Sequence, residues 1–263
     1  GGSNNYYFYN TYTSKVTNCL ILKNSNNNIV YRNTLTCGKV GVYMLSVFDS
    51  DIAYGNNITY NNIISSGNTQ GVFIQRNVVN STIANNIIYG DVKGVGFDSV
   101  NFGRNLYNIQ IINNKITTTS GNDGIYIFGS NLHDFIIKNN TINTTGNTAR
   151  GIYAVNLTNS SFSNNIITTS GGAGAHDIYL LFSDNNVFLN DNLTELYANG
   201  GWPSHGLFLN NSNNNRFTNT IISTKTGMKD ALFDGSGATY FTNVSFNKNK
   251  VQFVAGSTAT LFI

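Results

Sequence analysis

The chain has 263 residues, of which 40% are hydrophobic and only 10% are charged, and its formal net charge is +3. This small, scattered charge argues against a nucleic-acid-binding protein, and no apolar run approaches the roughly 20 residues that a membrane-spanning helix needs. Asn, Ser, Thr and Gly must solvate the surface instead of charges, which favours an extracellular or cell-surface protein.

The N-terminal residues 1–29 contain apolar stretches without a regular spacing, and we predict that they form an irregular first coil or cap. Two cysteines, Cys19 and Cys37, lie near this end. In an oxidising compartment they would form a disulfide that pins the first coils. Two buried free thiols are the alternative of equal weight.

From residue 30 to residue 232 two patterns recur with one period. The first has an aliphatic anchor every 23 to 30 residues, at Val42, Val72, Val95, Ile125, Ile152, Ile178, Leu207 and Leu232. The second has an anchor every 24 to 29 residues, at Val30, Thr59, Ile83, Ile111, Ile137, Phe162, Phe188, Phe217 and Phe241. A fixed period in this range indicates a solenoid, and short alternating runs of β-branched and aromatic residues indicate strands.

We therefore predict an all-β fold, a single parallel β-helix of about nine or ten coils with three short strands per coil. A third buried column should contain Leu35, Ile64, Ile88, Ile116, Ile142, Ile167, Leu193, Ile222 and Phe246. Asn pairs recur just before this column and predict a coil-to-coil amide ladder; they are Asn61-Asn62, Asn85-Asn86, Asn113-Asn114, Asn139-Asn140 and Asn164-Asn165.

The uninterrupted repeat predicts one domain over residues 1–263, with polar insertions at 98–106 and 195–206. Past residue 232 the pattern loosens, so residues 233–263 are predicted to form the C-terminal cap. The start and the apolar end both suggest a piece cut from a longer protein.

The Gly-Ile-Tyr run followed by Asn-Asn-x-Ile resembles the right-handed parallel β-helix repeats of the pectate-lyase-like superfamily. It is most similar to the Asn-rich carbohydrate-binding and sugar-hydrolase repeats of archaeal surface and adhesin-like proteins. The resemblance covers about residues 30–246 and implies a right-handed β-helix. It does not imply one activity, because the superfamily includes lyases, hydrolases, epimerases, tailspikes and adhesins.

A polar column lies two residues before each first anchor, at Val40, Gln70, Lys93, Asp123, Arg150, His176, His205 and Asp230. Its functional interpretation is a groove edge that holds a sugar chain, with His176 or His205 transferring a proton. A His-His-Asp metal site is a less favoured possibility. The structural alternative is that exposed corner residues simply pair across coils.

An outward-facing row of aromatic residues follows the first anchors, at Tyr43, Phe73, Tyr126, Tyr153, Tyr179 and Phe208, with Gly96 interrupting it. Tyr rings in a line can stack on sugar rings, and Trp202 near His205 would extend this carbohydrate-binding surface. Alternatively, the rings stack on each other, or a neighbouring domain or subunit covers them.

Nine Asn-X-Ser/Thr triplets are candidate glycosylation sites, and some coincide with the predicted amide ladder. They begin at Asn57, Asn80, Asn139, Asn143, Asn156, Asn159, Asn192, Asn210 and Asn243.

The sequence favours a non-catalytic extracellular β-helix that binds a polysaccharide or surface glycan, or that assembles with itself or with neighbouring domains. The scarcity of carboxylates argues against paired-acid chemistry, since Glu195 is the only glutamate. The alternative is a polysaccharide lyase or glycoside hydrolase with a site around His176, His205, Asp230, Arg150 and Asp177. We predict no cofactor, with calcium as the alternative.

Overall fold

The computed structural model describes residues 2–47, 51–99, 105–121, 123–172, 174–196, 203–225, 227–254 and 256–262. These residues form a parallel β-solenoid with three sheets, which confirms the predicted all-β class. The solenoid makes about eight turns rather than nine or ten. Sheet B, defined below, ends at Ile221–Thr224, while later strands extend only the other two sheets.

Within the described residues the strands group as follows. Sheet A has 11 strands: Tyr6–Phe8, Ile29–Tyr31, Asn57–Thr59, Thr82–Ala84, Gln110–Ile112, Ile136–Lys138, Ser161–Ser163, Val187–Leu189, Arg216–Thr218, Thr239–Thr242 and Ala259–Phe262. Sheet B has nine: Thr11–Ser14, Thr34–Cys37, Asn62–Ser65, Ile87–Gly90, Lys115–Thr118, Thr141–Thr144, Ile166–Thr169, Asn192–Glu195 and Ile221–Thr224.

Sheet C has 13 strands in the same part of the chain. Ten follow one another: Leu20–Lys23, Val42–Leu45, Gln70–Gln75, Lys93–Ser99, Ile125–His133, Ile152–Thr158, Ile178–Leu181, His205–Asn210, Lys229–Asp234 and Val251–Phe253. Three short strands pair beside them: Ala53–Tyr54, Val78–Val79 and Leu106–Tyr107. Among the residues that the structure describes, the helical content is a single 3₁₀ turn, Lys248–Lys250. None of the helical structure in these ranges has the length and hydropathy that a membrane crossing needs.

The core is a narrow column of apolar side chains enclosed by the three sheets. Alternation with a period of two residues sends one side of each strand inward, so that coils stack Ile on Ile and Phe on Phe. In sheet A the rings of Phe162 and Phe188 stack 4.3 Å apart, and those of Phe188 and Phe217 stack 4.4 Å apart. Each fully buried side chain of this kind contributes roughly 1.5–3 kcal/mol through the hydrophobic effect.

The predicted amide ladder is present at the turn between sheets A and B. Each Nδ2 donates to the Oδ1 of the next coil at 2.9–3.2 Å. The ladder runs through Asn10, Asn33, Asn61, Asn86, Asn114, Asn140 and Asn165 and ends on the carboxylate of Asp191. It satisfies buried polar groups that the tight turn would otherwise leave without partners.

The residue before each ladder position, and the equivalent residue of the two coils after Asp191, has a left-handed backbone, and we call this set the corner column. In seven coils it is Asn, with φ between 50° and 57°: Asn85, Asn113, Asn139, Asn164, Asn190, Asn219 and Asn243. Asn is the usual non-glycine residue for this conformation. In the first three coils the corner column instead contains Tyr9, Arg32 and Tyr60, with φ of 53°, 53° and 58°.

The strand register corrects three predicted positions by one residue. Ile58 and Ile63 are the buried members of their columns, not Thr59 and Ile64. Consequently Asn61 is the second residue of its pair, and the pair is Tyr60-Asn61. In the last coil Ala231 aligns with Leu207 and points inward, whereas Leu232 aligns with Phe208. In each of these three cases the two adjacent residues are both apolar or small, so the hydrophobic pattern alone did not show which one is buried. A shift of the strand by one residue exchanges its inward and outward faces.

The two ends are more regular than expected. Residues 1–29 contain three strands that pair in register with the following coil, because the side chains of Asn28 and Asn33 already bind Asn5 and Asn10. Cys19 and Cys37 form a disulfide with Cα atoms 5.6 Å apart. At the other end, strands at 239–242, 251–253 and 259–262 continue sheets A and C.

Candidate functional site

The outer face of sheet C brings the predicted aromatic and polar residues together in two neighbouring columns. The aromatic row contains Tyr43, Phe73, Tyr126, Tyr153, Tyr179 and Phe208, in register with a gap at Gly96. The charged row beside it contains Lys93, Asp123, Arg150, His176, His205 and Lys229. Lys229 occupies the position predicted for Asp230, because the last coil is one residue shorter than the sequence pattern indicated.

The rings of the aromatic row contact each other from coil to coil. Tyr179 and Phe208 are stacked with centroids 4.5 Å apart, and Tyr153 lies 5.0 Å from Tyr179. At the other end Tyr43 and Phe73 are stacked at 5.2 Å. The Tyr43–Phe73 and Tyr179–Phe208 pairs are parallel, which covers one face of each ring, whereas Tyr126, Tyr153 and Tyr179 are tilted against each other by 53° and 32°. The mutual stacking considered from the sequence is therefore present.

Cations of the charged row lie over these rings. The Arg150 guanidinium is 3.6 Å from the Tyr153 ring centroid, and the Lys93 ammonium is 3.3 Å from that of Tyr126. Both distances are within the range of a cation–π interaction. Arg150 also forms a two-point ion pair with the buried Asp123, with Nε–Oδ1 and Nη2–Oδ2 distances of 2.6 and 3.1 Å.

Burial shifts the pKa values of several side chains in the aromatic and charged rows. It raises the pKa of Tyr126 to about 12 and lowers the pKa of Lys93 from its ordinary value. Burial also raises the pKa of Asp123, while the Arg150 guanidinium acts in the opposite direction. At neutral pH the Tyr126 hydroxyl is thus protonated and able to donate a hydrogen bond.

The two histidines of the charged row are buried and stacked, with ring centroids 5.1 Å apart. His176 Nδ1 accepts a hydrogen bond of 3.0 Å from the His205 backbone N–H, so this nitrogen carries no proton. Burial and the neighbouring His205 hold the pKa of His176 well below its usual range, and burial lowers the pKa of His205 to about 4. Both rings are therefore neutral at pH 7.

The carboxylates predicted to complete this corner lie elsewhere. Asp177 and Asp230 occupy the next column, which is glycine in most coils, and both point inward. Asp177 Oδ1 accepts from Thr169 Oγ1 at 2.9 Å, and burial, with Glu195 adding to it, raises the pKa of Asp177 well above its usual range. Asp230 accepts from Thr224 and the Asn247 backbone.

The five candidate catalytic residues thus do not form one constellation. Arg150 binds Asp123, the histidines bind and stack on each other, and the two aspartates are in the interior. In the described ranges no group of three His, Cys, Asp or Glu side chains is placed to hold a metal ion. The three side chains of the possible His-His-Asp metal site do not come together, because Asp230 lies one column away from its predicted place.

Some predicted features fall outside the described residues. These are Trp202 and most of the two insertions, residues 100–104 and 197–202. Of the candidate glycosylation sites, Asn57, Asn143 and Asn210 are half-buried and the other six are exposed. None occupies the buried ladder, because Asn139 belongs to the exposed corner column instead.

Two surface features were missed from the sequence. One is a depression of about 400 Å³ on sheet B, where Tyr89, Asp91 and Ile64 line an open surface. The other is the exposed group of Tyr9, Arg32 and Tyr60 in the corner column. Aligning the Asn pairs without the one-residue error at Asn61 would have revealed three bulky residues in a column of asparagines.

Comparison with known proteins defines the class of this chain. The family described as "Right handed beta helix region" matches residues 100–262. The chain belongs to this family, and the predicted right-handed β-helix agrees with it. No curated protein matches the sequence.

Solved structures share the fold at low sequence identity. PfbA, a surface adhesin of Streptococcus pneumoniae, has a TM-score of 0.65 and 11% identity, with 95% of this chain and 73% of that chain covered. The Siphovirus 9NA tailspike receptor binding domain has a TM-score of 0.59 and 12% identity, with 98% and 51% covered. DFA-IIIase from Arthrobacter chlorophenolicus A6, without its lid and in complex with GF2, has a TM-score of 0.55 and 11% identity, with 92% and 55% covered. This chain thus spans only about half the length of the last two.

Proposed function

We propose that the chain is a non-catalytic extracellular or cell-surface module that binds glycans through the outer face of sheet C. The observation that carries this proposal is the strip from Tyr126 to Phe208, in which half-buried rings are held rigid by stacking and by cations. Ring edges and protonated Tyr hydroxyls give a sugar chain both apolar contact and hydrogen-bond donors. Rigid aromatic residues lose little conformational freedom on binding.

The alternative, a polysaccharide lyase or glycoside hydrolase, has weaker support from the geometry. A general acid or base needs a pKa near the working pH and access to substrate. His176 and His205 are neutral and buried, Asp177 lies in the interior, and the carboxylate of Asp230 is occupied by hydrogen bonds from Thr224 and the Asn247 backbone. The likeness to DFA-IIIase concerns the fold, which PfbA and the tailspike domain share equally.

The double variant Tyr126→Ala, Tyr153→Ala should reduce retention of the protein on immobilised polysaccharide by about tenfold, because two rings at roughly 0.5–1.5 kcal/mol each are removed. The measurement is affinity electrophoresis or retention on a panel of neutral and acidic polymers, with folding checked by circular dichroism. Tyr89→Ala, which removes an exposed ring on sheet B, is the matched control and should not change retention. Equal retention of the double variant and the wild type would rule out the sheet C face as the binding surface.

Incubation of the wild type with the same polymers and calcium should leave their length unchanged, because the candidate acid and base residues His176, His205 and Asp177 are buried. The length is measured by size-exclusion chromatography. Shortening of a polymer by the wild type that is lost in His205→Ala would contradict the non-catalytic proposal and support the hydrolase or lyase.

Self-association through the outer face of sheet C is the competing role, and it would appear as concentration-dependent sedimentation.

A further inference from the structure

The corner column contains a second cluster of aromatic and cationic side chains, far along the surface from the charged row. We propose that Tyr9, Arg32 and Tyr60 form a separate binding site for a carboxylated saccharide. This site lies at the turn between sheets A and B, so the inference does not depend on the sheet C face being the glycan-binding surface.

The backbone is the first observation that supports the site. Tyr9, Arg32 and Tyr60 have left-handed φ values of 53°, 53° and 58°, which bulky residues rarely adopt. The next seven coils place Asn at this position, and four hydrogen bonds link neighbouring Asn side chains there. Residues that the fold itself does not require are thus held in an unfavourable conformation, which is typical of binding sites.

The exposure of the rings is the second observation. Tyr9 is 68% exposed and Tyr60 is 53% exposed, and both contact Tyr31 edge-on, at centroid distances of 5.9 and 5.5 Å. An edge-on contact covers at most one face of a ring pair, whereas the parallel stacking in sheet C covers a face of each ring. Tyr9 and Tyr60 therefore offer more free ring surface than the aromatic row does.

The charge of Arg32 indicates the chemistry of the ligand. Its guanidinium carbon lies 5.1–6.0 Å from the centroids of three Tyr rings, and Nη1 donates to the Tyr9 hydroxyl at 3.1 Å. Among the described residues, no carboxylate forms an ion pair with it. Arg150, by contrast, is committed to Asp123. A planar guanidinium with free donors is suited to bind a carboxylate from a ligand through two hydrogen bonds.

The spacing of the two rings fits a saccharide chain. Tyr9 and Tyr60 are two coils apart, which is roughly 10 Å at the spacing of neighbouring strands. This distance is comparable with two sugar residues of an extended chain. Two sugar rings can then contact Tyr9 and Tyr60 while a carboxylate on the chain reaches Arg32 between them.

The test compares retention on polygalacturonate and on its methyl-esterified form, which has the same sugar rings without the charge. The wild type should bind polygalacturonate about tenfold more tightly than the ester, and Arg32→Gln should remove that difference. The double variant Tyr9→Asn, Tyr60→Asn introduces the residue of the later coils; it should unfold at the same or a higher temperature and yet lose about tenfold in affinity for both polymers.

Phe182→Asn is the matched control, because Phe182 is also exposed and left-handed, with φ of 50°, but belongs to another turn. It should relieve similar strain and leave both affinities unchanged. Wild-type affinity in the Arg32 and Tyr9/Tyr60 variants would overturn the site. The site would also be overturned if the wild type were a dimer and these variants were monomers, because the cluster would then bind a second copy of the chain. Loss of retention only in the Tyr126/Tyr153 variant would overturn this site and leave the proposed function intact.

Discussion

Replacing Asn114 with Ala should lower the free energy of unfolding by about 4 kcal/mol, because four hydrogen bonds in the interior, each worth about 1 kcal/mol, are lost. Asn114 Oδ1 accepts from the backbone and side-chain amides of Asn86, both at 3.0 Å. Its Nδ2 donates to the Ile83 carbonyl and to Asn140 Oδ1. Ala leaves these neighbours buried without partners. Denaturant unfolding followed by circular dichroism measures the change.

Asn143→Ala provides the comparison for this prediction. Asn143 lies on the outer face of sheet B and is half-buried, and its side chain makes no hydrogen bond with the described part of the chain. Its loss should change the free energy of unfolding by no more than about 0.5 kcal/mol. If the two variants were equally stable, the ladder would contribute nothing beyond its backbone geometry.

Replacing Asp191 with Asn should stabilise the protein by about 3 kcal/mol at pH 7. Burial raises the pKa of Asp191 from 3.8 to about 6, and a difference of about two units corresponds to about 3 kcal/mol. The folded state binds this proton more tightly than the unfolded state, so stability is lost as the pH rises from about 4 to about 6. Asn at this position would also donate from Nδ2 toward the Phe162 carbonyl, as Asn165 does to Ile137.

Unfolding curves of Asp191→Asn and the wild type at pH 4 and pH 7 test this. The stabilisation should be present at pH 7 and nearly absent at pH 4, where the wild-type carboxyl is already protonated. Asp134→Asn changes the same functional group at an exposed corner, where the side chain is 56% exposed, and should alter stability by less than about 0.5 kcal/mol. A gain of equal size at both pH values would show that the pKa of Asp191 does not differ between the folded and unfolded protein, and would contradict the prediction.

The fold was predictable because every coil repeats the same physical requirements. An inward aliphatic residue, an Asn at the turn and a left-handed corner recur with one period, and the ladder from Asn86 to Asn165 follows directly from the Asn pairs. Register was predicted less well, since Ile63 and Ile64, or Ala231 and Leu232, satisfy a hydrophobic pattern equally. Only contact with the neighbouring coils decides which of two adjacent residues is buried.

The candidate site was predictable only in part. The Asp123–Arg150 ion pair agrees with the structural alternative, pairing across coils, that the sequence left open for this column, and the aromatic row follows from the same register. The sequence placed Asp230 beside His205, but a one-residue difference in the last coil turns that carboxylate inward. It also did not indicate that His176 and His205 are buried, because a corner residue is exposed or covered according to the side chains around it.

The amide ladder gives the rod an electrical polarity. Along the ladder every Oδ1 accepts from the coil before it and every Nδ2 donates one hydrogen bond to the coil after it, so these side-chain hydrogen bonds share one direction, as peptide hydrogen bonds do in a helix. The positive end of the ladder lies at Asp191, whose carboxylate accepts a hydrogen bond from Asn165 and has no N–H to donate to the next coil. An anion at this end is favoured by the aligned dipoles, although its raised pKa shows that the loss of hydration is larger. The ladder thus has a defined beginning and a defined end, and Asp191 marks the end.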